Sequence, residues 1–298
     1  MTDPDRSEPE VAVVIVSWNA RRPLLECLAS LAPAALAGEL DVVVVDNAST
    51  DGTVDAVAAS APWARCIANP SNRGLSAANN QGIAATTAPF VCISNPDVVY
   101  RPGTIPALRA AMDDHPRAAF TFARLRHPDG TLQTTVGDLP RLRDALLGRQ
   151  ATRRRRADHG FWWDGWAHDQ DRRIGHGLEA CYLARRAAIA HIGVQDEGFW
   201  LDWEGIDWCA RAAELGWESW FVAGAEATHV GGVSLRQAQA RWIVESHRSM
   251  HRYFSRRMHP AARPVLAVLF GARALVKLAS ARLRVADYDA SHPGSGPA

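Results

Sequence analysis

The 298-residue chain is short of net charge, of paired cysteines and of long uncharged apolar runs. Its 33 basic and 32 acidic residues leave a formal charge of +1, so bulk charge does not point to a polyanionic partner. Five cysteines, Cys27, Cys66, Cys92, Cys181 and Cys209, are odd in number and form no Cys-x-x-Cys pair. That argues against a disulfide framework or thiolate zinc site, and for reduced, buried thiols in a cytosolic protein. Met1 to Glu10 is polar and acidic, without the basic start and apolar core of a signal peptide. The nearest thing to a membrane span, Val265 to Val285, is interrupted by Arg273, Lys277, Arg282 and Arg284, whereas a span needs ~20 mostly apolar residues. No glycine- and lysine-rich phosphate loop opens the chain, and no nucleic-acid-binding motif is present.

What is present is the composition of a packed protein, 47% hydrophobic and 22% charged. Val11–Val16 and Asp41–Asp46 are continuous β-branched runs, the pattern of strands buried on both faces. Helix-like stretches, Pro23–Leu31 and Thr53–Ser60, follow them. Ala64–Ala68 predicts a short strand, Leu75–Ala85 a helix and Phe90–Ile93 a fourth strand. This alternation predicts βαβ units and an α/β fold with a mainly parallel, Rossmann-like sheet. Such sheets bind ligands beyond the carboxyl ends of their strands. The residues to inspect are therefore Ser17-Trp18-Asn19, Asp46-Asn47-Ala48-Ser49 and Ser94-Asn95-Pro96-Asp97.

Asp138 to Arg173 reads as a long functional loop carrying Arg153–Arg156 and the aromatic run Phe161 to Trp166. Gly177–Ala184 predicts a strand, Arg186–Ile192 and Ile206–Leu215 helices, and Glu218–Val222 and Ala225–His229 short extended pieces. The sequence thus divides into a disordered start (1–10), a main domain (11–234), a basic helical extension (235–286) and a disordered tail (287–298).

Six segments resemble glycosyltransferase family 2, particularly its bacterial rhamnosyltransferase-like members. They are Val13–Asn19 (VVIVSWN), Val44–Thr53 (VVDNASTDGT), Asn72–Ile83 (NRGLSAANNQGI), Ser94–Val98 (SNPDV), Glu197–Arg211 (EGFWLDWEGIDWCAR) and Thr228–Ser234 (THVGGVS). Each is a weak pattern alone, but six in order on a βαβ framework are specific. The resemblance implies a GT-A fold, a nucleotide-sugar donor, a divalent metal (Mg²⁺ or Mn²⁺) and inversion at the anomeric carbon.

It also implies site roles. Asp46 would contact the nucleotide, with Ser17, Asn19, Asn47, Gly74, Asn80 and Asn95 around the donor. Arg73 would meet the diphosphate or simply be solvated. Asn95-Pro96-Asp97 stands where the family has its DxD motif, making Asp97 the main carboxylate on the metal, with His229 completing the site. The family places two adjacent acids at the start of a helix and uses the second as base. Here that second position is Gly205, which carries no proton. Asp202, Glu204 and Asp207 remain, and Glu204 is the expected base, with Asp207 orienting the loop or capping the helix.

Trp200, Asp202 and Trp203 would shape the acceptor site, since flat rings with a polar edge pack against sugars; simple packing is the other reading of the tryptophans, and Trp208 reads as core. Arg153–Arg156 would attract lipid phosphates or a pyrophosphate-linked acceptor, or be a solvated loop. The C-terminal extension would lie on the inner face of a membrane, pack on the domain or form a homodimer interface. The expected activity is sugar transfer, such as rhamnose from a dTDP-sugar, to a glycan or lipid-linked acceptor of the cell envelope. The alternative is a degenerate member that binds donor without turnover, a reading that rests on Gly205.

Overall fold

The computed structural model describes residues 8–147, 158–231 and 239–291, with only the backbone of 282–291. The expectations for Arg153–Arg156, for the end of the THVGGVS segment after Gly231 and for the outermost termini lie outside the described residues.

A nine-stranded sheet forms the centre, in the order β3-β2-β1-β4-β10-β6-β11-β5, with β8 also paired to β11. Strands β1 (Val11–Ser17), β2 (Leu40–Asp46), β3 (Arg65–Ala68) and β4 (Phe90–Ser94) are parallel neighbours. The β1 and β2 runs are β-branched because both faces are covered: every residue of β1 is buried, as are six of the seven in β2. Helices α1 (Arg21–Ala37), α2 (Thr53–Ser60) and α3 (Leu75–Ala84) make the crossovers. Helix α1 runs six residues beyond the expected Leu31, through Pro33, and ends at Gly38 in the left-handed region.

The second half of the sheet is mixed. Strand β5 (Val98–Tyr100) follows β4 at once, and helix α4 (Thr104–Asp114) leads to β6 (Ala118–Arg126). Strand β6 was not among the expected elements, although its first six residues, Ala118–Ala123, carry no charge and are all buried. The expected strand Gly177–Ala184 is in fact two. His176–Gly177 (β9) pairs with β7 (Val136–Gly137), while Cys181–Arg185 (β10) runs antiparallel between β4 and β6. Leu178–Ala180 carry the chain from one to the other. The two pieces expected before His229 are one strand, β11 (Glu218–His229), interrupted by an irregularity between Val222 and Glu226. It pairs with β8 (Arg172–Ile174) on its outer side.

Within the expected loop lies a short helix, α5 (Leu142–Leu147), and α6 (Arg186–Ile192) follows β10. Helix α7 (Glu204–Glu214) starts two residues earlier than expected. It is launched by Asp202 and Trp203, both left-handed with φ of 63° and 69°. Two such non-glycine residues in succession are strained, and strain of this kind collects at functional sites.

The extension comprises α8 (Gln239–Arg257) and α9 (Arg263–Ser291), so the helix continues past the boundary expected at residue 286. It is packed onto the domain: Trp203 and Phe199 share a core with Met250, Tyr253, Phe254, Leu266 and Phe270. Pro260–Ala281 is long and apolar enough to cross a membrane by length and composition, with mean hydropathy 1.6, contrary to the expectation from its charges. Its exposed side carries Val265, Val268, Leu269, Leu275 and Val276. Cys27, Cys92, Cys181 and Cys209 are buried free thiols as expected, whereas Cys66 is exposed on edge strand β3.

Candidate active site

A cavity of about 610 Å³ opens where the parallel strands end, roofed by the start of α7 and walled by α8 and α9. The switch in strand order beside β1 is where such sheets open a crevice. Asn47, Gly74 and Asn95 line it, as do Asp97, His229, Trp200, Asp202, Trp203 and Glu204. The other expected site residues do not.

Near the ends of β1 and β2, polar side chains chiefly build the crevice. Asn47 Nδ2 donates to the Gly74 carbonyl at 3.1 Å, and its Oδ1 accepts from Asn69 Nδ2 at 3.1 Å. Gly74 has φ +87°, and a Cβ there would lie 2.6 Å from Trp200 Cδ1. Glycine is required twice over, by conformation and by space. The Leu75 amide then donates to the Trp200 carbonyl at 2.8 Å, tying the crevice to the loop before α7.

Asp46 is buried. One carboxylate oxygen accepts from the Ser49 amide at 2.8 Å, bracing the turn, and the other is buried without a partner. Asn19 accepts from the Thr50 amide at 2.8 Å and so joins two strand-end loops. Ser17 is fully buried at the end of β1, and Arg73 is exposed to solvent. Asn80 points elsewhere: it donates to the Gln195 carbonyl at 2.8 Å and accepts from the Gln195 amide at 3.0 Å. The polar face of α3 therefore meets a neighbouring loop rather than the cavity.

The strongest chemical arrangement is at Asp97 and His229. Asp97 Oδ1 lies 3.3 Å from His229 Nε2, and its Oδ2 accepts from the Gly231 amide at 2.9 Å. Gln133, which the sequence gave no reason to single out, fixes the imidazole. Its Nε2 donates to the His229 carbonyl at 2.6 Å, an atom that can only accept, so the amide orientation is determined. Gln133 Oε1 then faces His229 Nδ1 at 2.9 Å, which must carry the proton. In the neutral ring Nε2 is left with a lone pair aimed at a carboxylate. Two electron-pair donors so placed fit a cation between them, and a ligating histidine held through its other nitrogen is the usual supporting arrangement. Asn95 Nδ2 sits 3.4 Å from the same Nε2. Among the described residues no group of three or more His, Cys, Asp or Glu side chains converges on a metal position. Two protein ligands suit Mg²⁺-type sites, where substrate phosphates and water supply the rest.

The carboxyl groups at the head of α7 form a second cluster. Glu204 is 2% exposed, and its Oε2 has no partner. Burial, then the neighbouring Glu179 and Asp202, push its pKa well above the carboxylate range. Asp202 is also raised by burial, opposed by hydrogen bonds from Ser246 and Trp242; Trp242 Nε1 donates to its Oδ2 at 2.6 Å. Glu179, just before β10, lines the same cavity and was missed in the sequence. A charged residue breaking the apolar approach to a buried strand was the available signal. Burial raises Glu179 to about 8, against hydrogen bonds from Gly205 and Gln195 that favour its ionised form.

Asp207 takes no part in this cluster's cavity. Its fully buried carboxylate accepts from Arg211 at 2.9 Å and Arg257 at 2.8 Å, clamping α7 to α8. Asp207, grouped with Glu204 as a catalytic candidate that would orient the loop or cap the helix, makes no cap; its oxygens are turned to these two guanidinium groups, so its place is structural.

The tryptophans divide. Trp208 is fully buried core, as expected. Trp203 packs among Phe161, Tyr253 and Phe254 while one side meets the cavity. Trp200 is covered by the Arg241 guanidinium 3.7 Å above its ring, and Trp162 also lines the cavity. Three cations from α8 and α9, Arg241, Arg273 and Lys277, also line the cavity.

The chain matches the model of glycosyl transferase family 2 over residues 12–173. It is 29% identical over 266 residues to the N-acetylglucosaminyl-diphospho-decaprenol L-rhamnosyltransferase of Mycobacterium tuberculosis, spanning 82% of this chain and 84% of that protein. Among solved structures, it resembles the mannosyltransferase PcManGT of Pyrobaculum calidifontis in complex with GDP-Man and Mn²⁺ (TM-score 0.56, 18% identity, 96% of this chain and 82% of that one). It also resembles GalNAc-T7 with UDP, GalNAc and Mn²⁺ (TM-score 0.54, 13% identity, 76% of this chain and 44% of that one). These structural likenesses establish the GT-A fold. With the family match covering more than half the chain and the matched segments gathered at the ends of one sheet, the chain belongs to glycosyl transferase family 2.

Proposed function

We propose that this glycosyltransferase moves a deoxyhexose, rhamnose in the first instance, from a nucleotide-sugar donor to a lipid-linked diphosphate-sugar acceptor, with inversion. One observation carries the reading: a single cavity is lined by the Asp97–His229 pair, by a carboxyl cluster and by the cations Arg241, Arg273 and Lys277 of α8 and α9. The mycobacterial relative named for a rhamnosyl transfer to a lipid diphosphate supports the choice of sugar and acceptor.

Asp97 and His229 would hold the divalent cation, which neutralises charge on the departing diphosphate. Asn47 and Gly74 would receive the nucleotide in the crevice between the ends of β1 and β2. Trp200, Trp203 and Asp202 would border the acceptor sugar. Arg241, Arg273 and Lys277, the last being the chain's sole lysine, would face the acceptor's diphosphate. The exposed apolar side of α9 would rest on the membrane that carries the lipid, leaving its inner side in the cavity wall. Inversion needs one carboxylate to take the acceptor hydroxyl's proton during a single displacement.

The test is binding and transfer with a panel of nucleotide sugars and a short-chain N-acetylglucosaminyl-diphospho-polyprenol, with Mg²⁺ or Mn²⁺. Metal-dependent binding of one donor and its transfer, both lost in Asp97→Ala, is the expected result. Absence of binding to any donor with either metal would overturn the proposal.

A further inference from the structure

Gly205 stands where the family's second acid would be, and the structure shows what fills its place. Its backbone is ordinary helix, with no positive φ to require glycine. Glycine is a poor helix former, so something other than conformation must favour it. That something is space: a Cβ on residue 205 would overlap the Glu179 carboxyl group. The side chain missing from α7 is replaced by one arriving from the other side, from the link between β9 and β10.

Glu179 is well held there. The Ala180 carbonyl accepts from the Asn95 amide at 2.8 Å, which fixes the link against the motif that carries Asp97. One Glu179 oxygen accepts from the Gly205 amide, and the other accepts from Gln195 Nε2 at 2.9 Å. Gln195 is in turn oriented by Asn79, whose Nδ2 donates to its Oε1 at 3.0 Å. Glu179 is partly exposed in the cavity, whereas Glu204 beside it is 2% exposed, and burial with the nearby Glu179 and Asp202 raises its pKa well above the carboxylate range.

We propose that Glu179 is the catalytic base of this enzyme, supplying from the β9–β10 link the carboxylate that α7 lacks at Gly205. The inference rests on the transferase reading above. As the acceptor oxygen bonds to the anomeric carbon, the bond from that carbon to the diphosphate breaks and its electron pair leaves with the nucleoside diphosphate. The hydroxyl proton passes to the Glu179 carboxylate and then to solvent. The rival role is structural, because α7 has no side-chain cap of its own and Glu179 accepts from one of its first amides.

The test uses the full-length protein, Mn²⁺, dTDP-rhamnose or the donor found by the panel, and the same acceptor analogue. Glu179→Gln keeps an acceptor for the Gly205 amide but cannot take a proton. It is expected to lower kcat by about 10²–10⁴-fold, the range for a general base, with donor affinity unchanged. Glu204→Gln is expected to lower kcat less than Glu179→Gln does. In Glu179→Gly/Gly205→Asp the carboxylate returns to the helix, and activity recovers relative to Glu179→Gly. Near-wild-type kcat in Glu179→Gln, or a kcat loss confined to Glu204→Gln, would overturn the assignment while leaving the transferase intact. Failure of the wild type to bind or transfer would instead defeat the underlying reading.

Discussion

Asp207→Ala separates structural from chemical roles at the head of α7. The Asp207 carboxylate is buried and joined to Arg211 and Arg257, whose side chains are 22% and 21% exposed. Breaking a fully buried pair by removing one partner costs about 3–5 kcal/mol, because a charge is left without compensation. Here both arginines reach water, so a loss of roughly 2–3 kcal/mol follows from the same principle. For a chain of this size that corresponds to a fall in Tm of roughly 4–6 °C, at about 2 °C per kcal/mol. Urea unfolding should show a lower midpoint, while kcat per mole of folded enzyme stays at the wild-type value. Wild-type stability with a kcat reduced ~10²-fold would refute the reasoning and return Asp207 to the reaction centre.

Gln133→Leu should weaken Mn²⁺ binding in the presence of donor roughly 10–100-fold by releasing the His229 ring, measurable by titration calorimetry. Unaltered affinity would show that the ring needs no support. Glu179, raised by burial from 4.5 to about 8, binds its proton more tightly folded than unfolded. The associated stability is full below about 4.5 and is lost as pH rises through about 8. Glu179→Gln should therefore gain stability over wild type progressively across that window, read as the difference in Tm from pH 5 to 9; a constant difference would contradict it. Transfer by the wild type should rise with pH over the same range, since the base must be ionised. Gly74→Ala should impair donor binding more than expression or fold, because its methyl strikes Trp200 at the cavity rim; fluorescence quenching by nucleotide would report it.

The parallel half of the sheet was legible because its central strands β1 and β2 are almost wholly buried and read as β-branched runs. Strands β9 and β10 were not separable by sequence, since Leu178 and Ala180 continue the apolar pattern across the point where the chain changes sheets. Asp97 and His229 were readable from motif position, and the structure brings them together across more than 130 residues. Asn80 and Asp207 were polar for a different reason, each satisfying a partner that only the folded chain supplies. Gln133 and Glu179 lie outside the six segments; Glu179 is a lone charge in an otherwise apolar link, a signal with no motif to give it a role. Gly205 was legible as a missing acid but not as room for another.

The helices after Gln239 bear on how this protein can be handled at the bench. An apolar C-terminal helix invites removal to improve solubility, but α9 contributes Arg273 and Lys277 to the cavity and covers Phe254 with Phe270. A chain cut near Arg257 would keep the donor crevice while opening one side of the reaction vessel to bulk water. Released sugar would then meet solvent instead of an acceptor, so a trimmed sample could read as a nucleotide-sugar hydrolase.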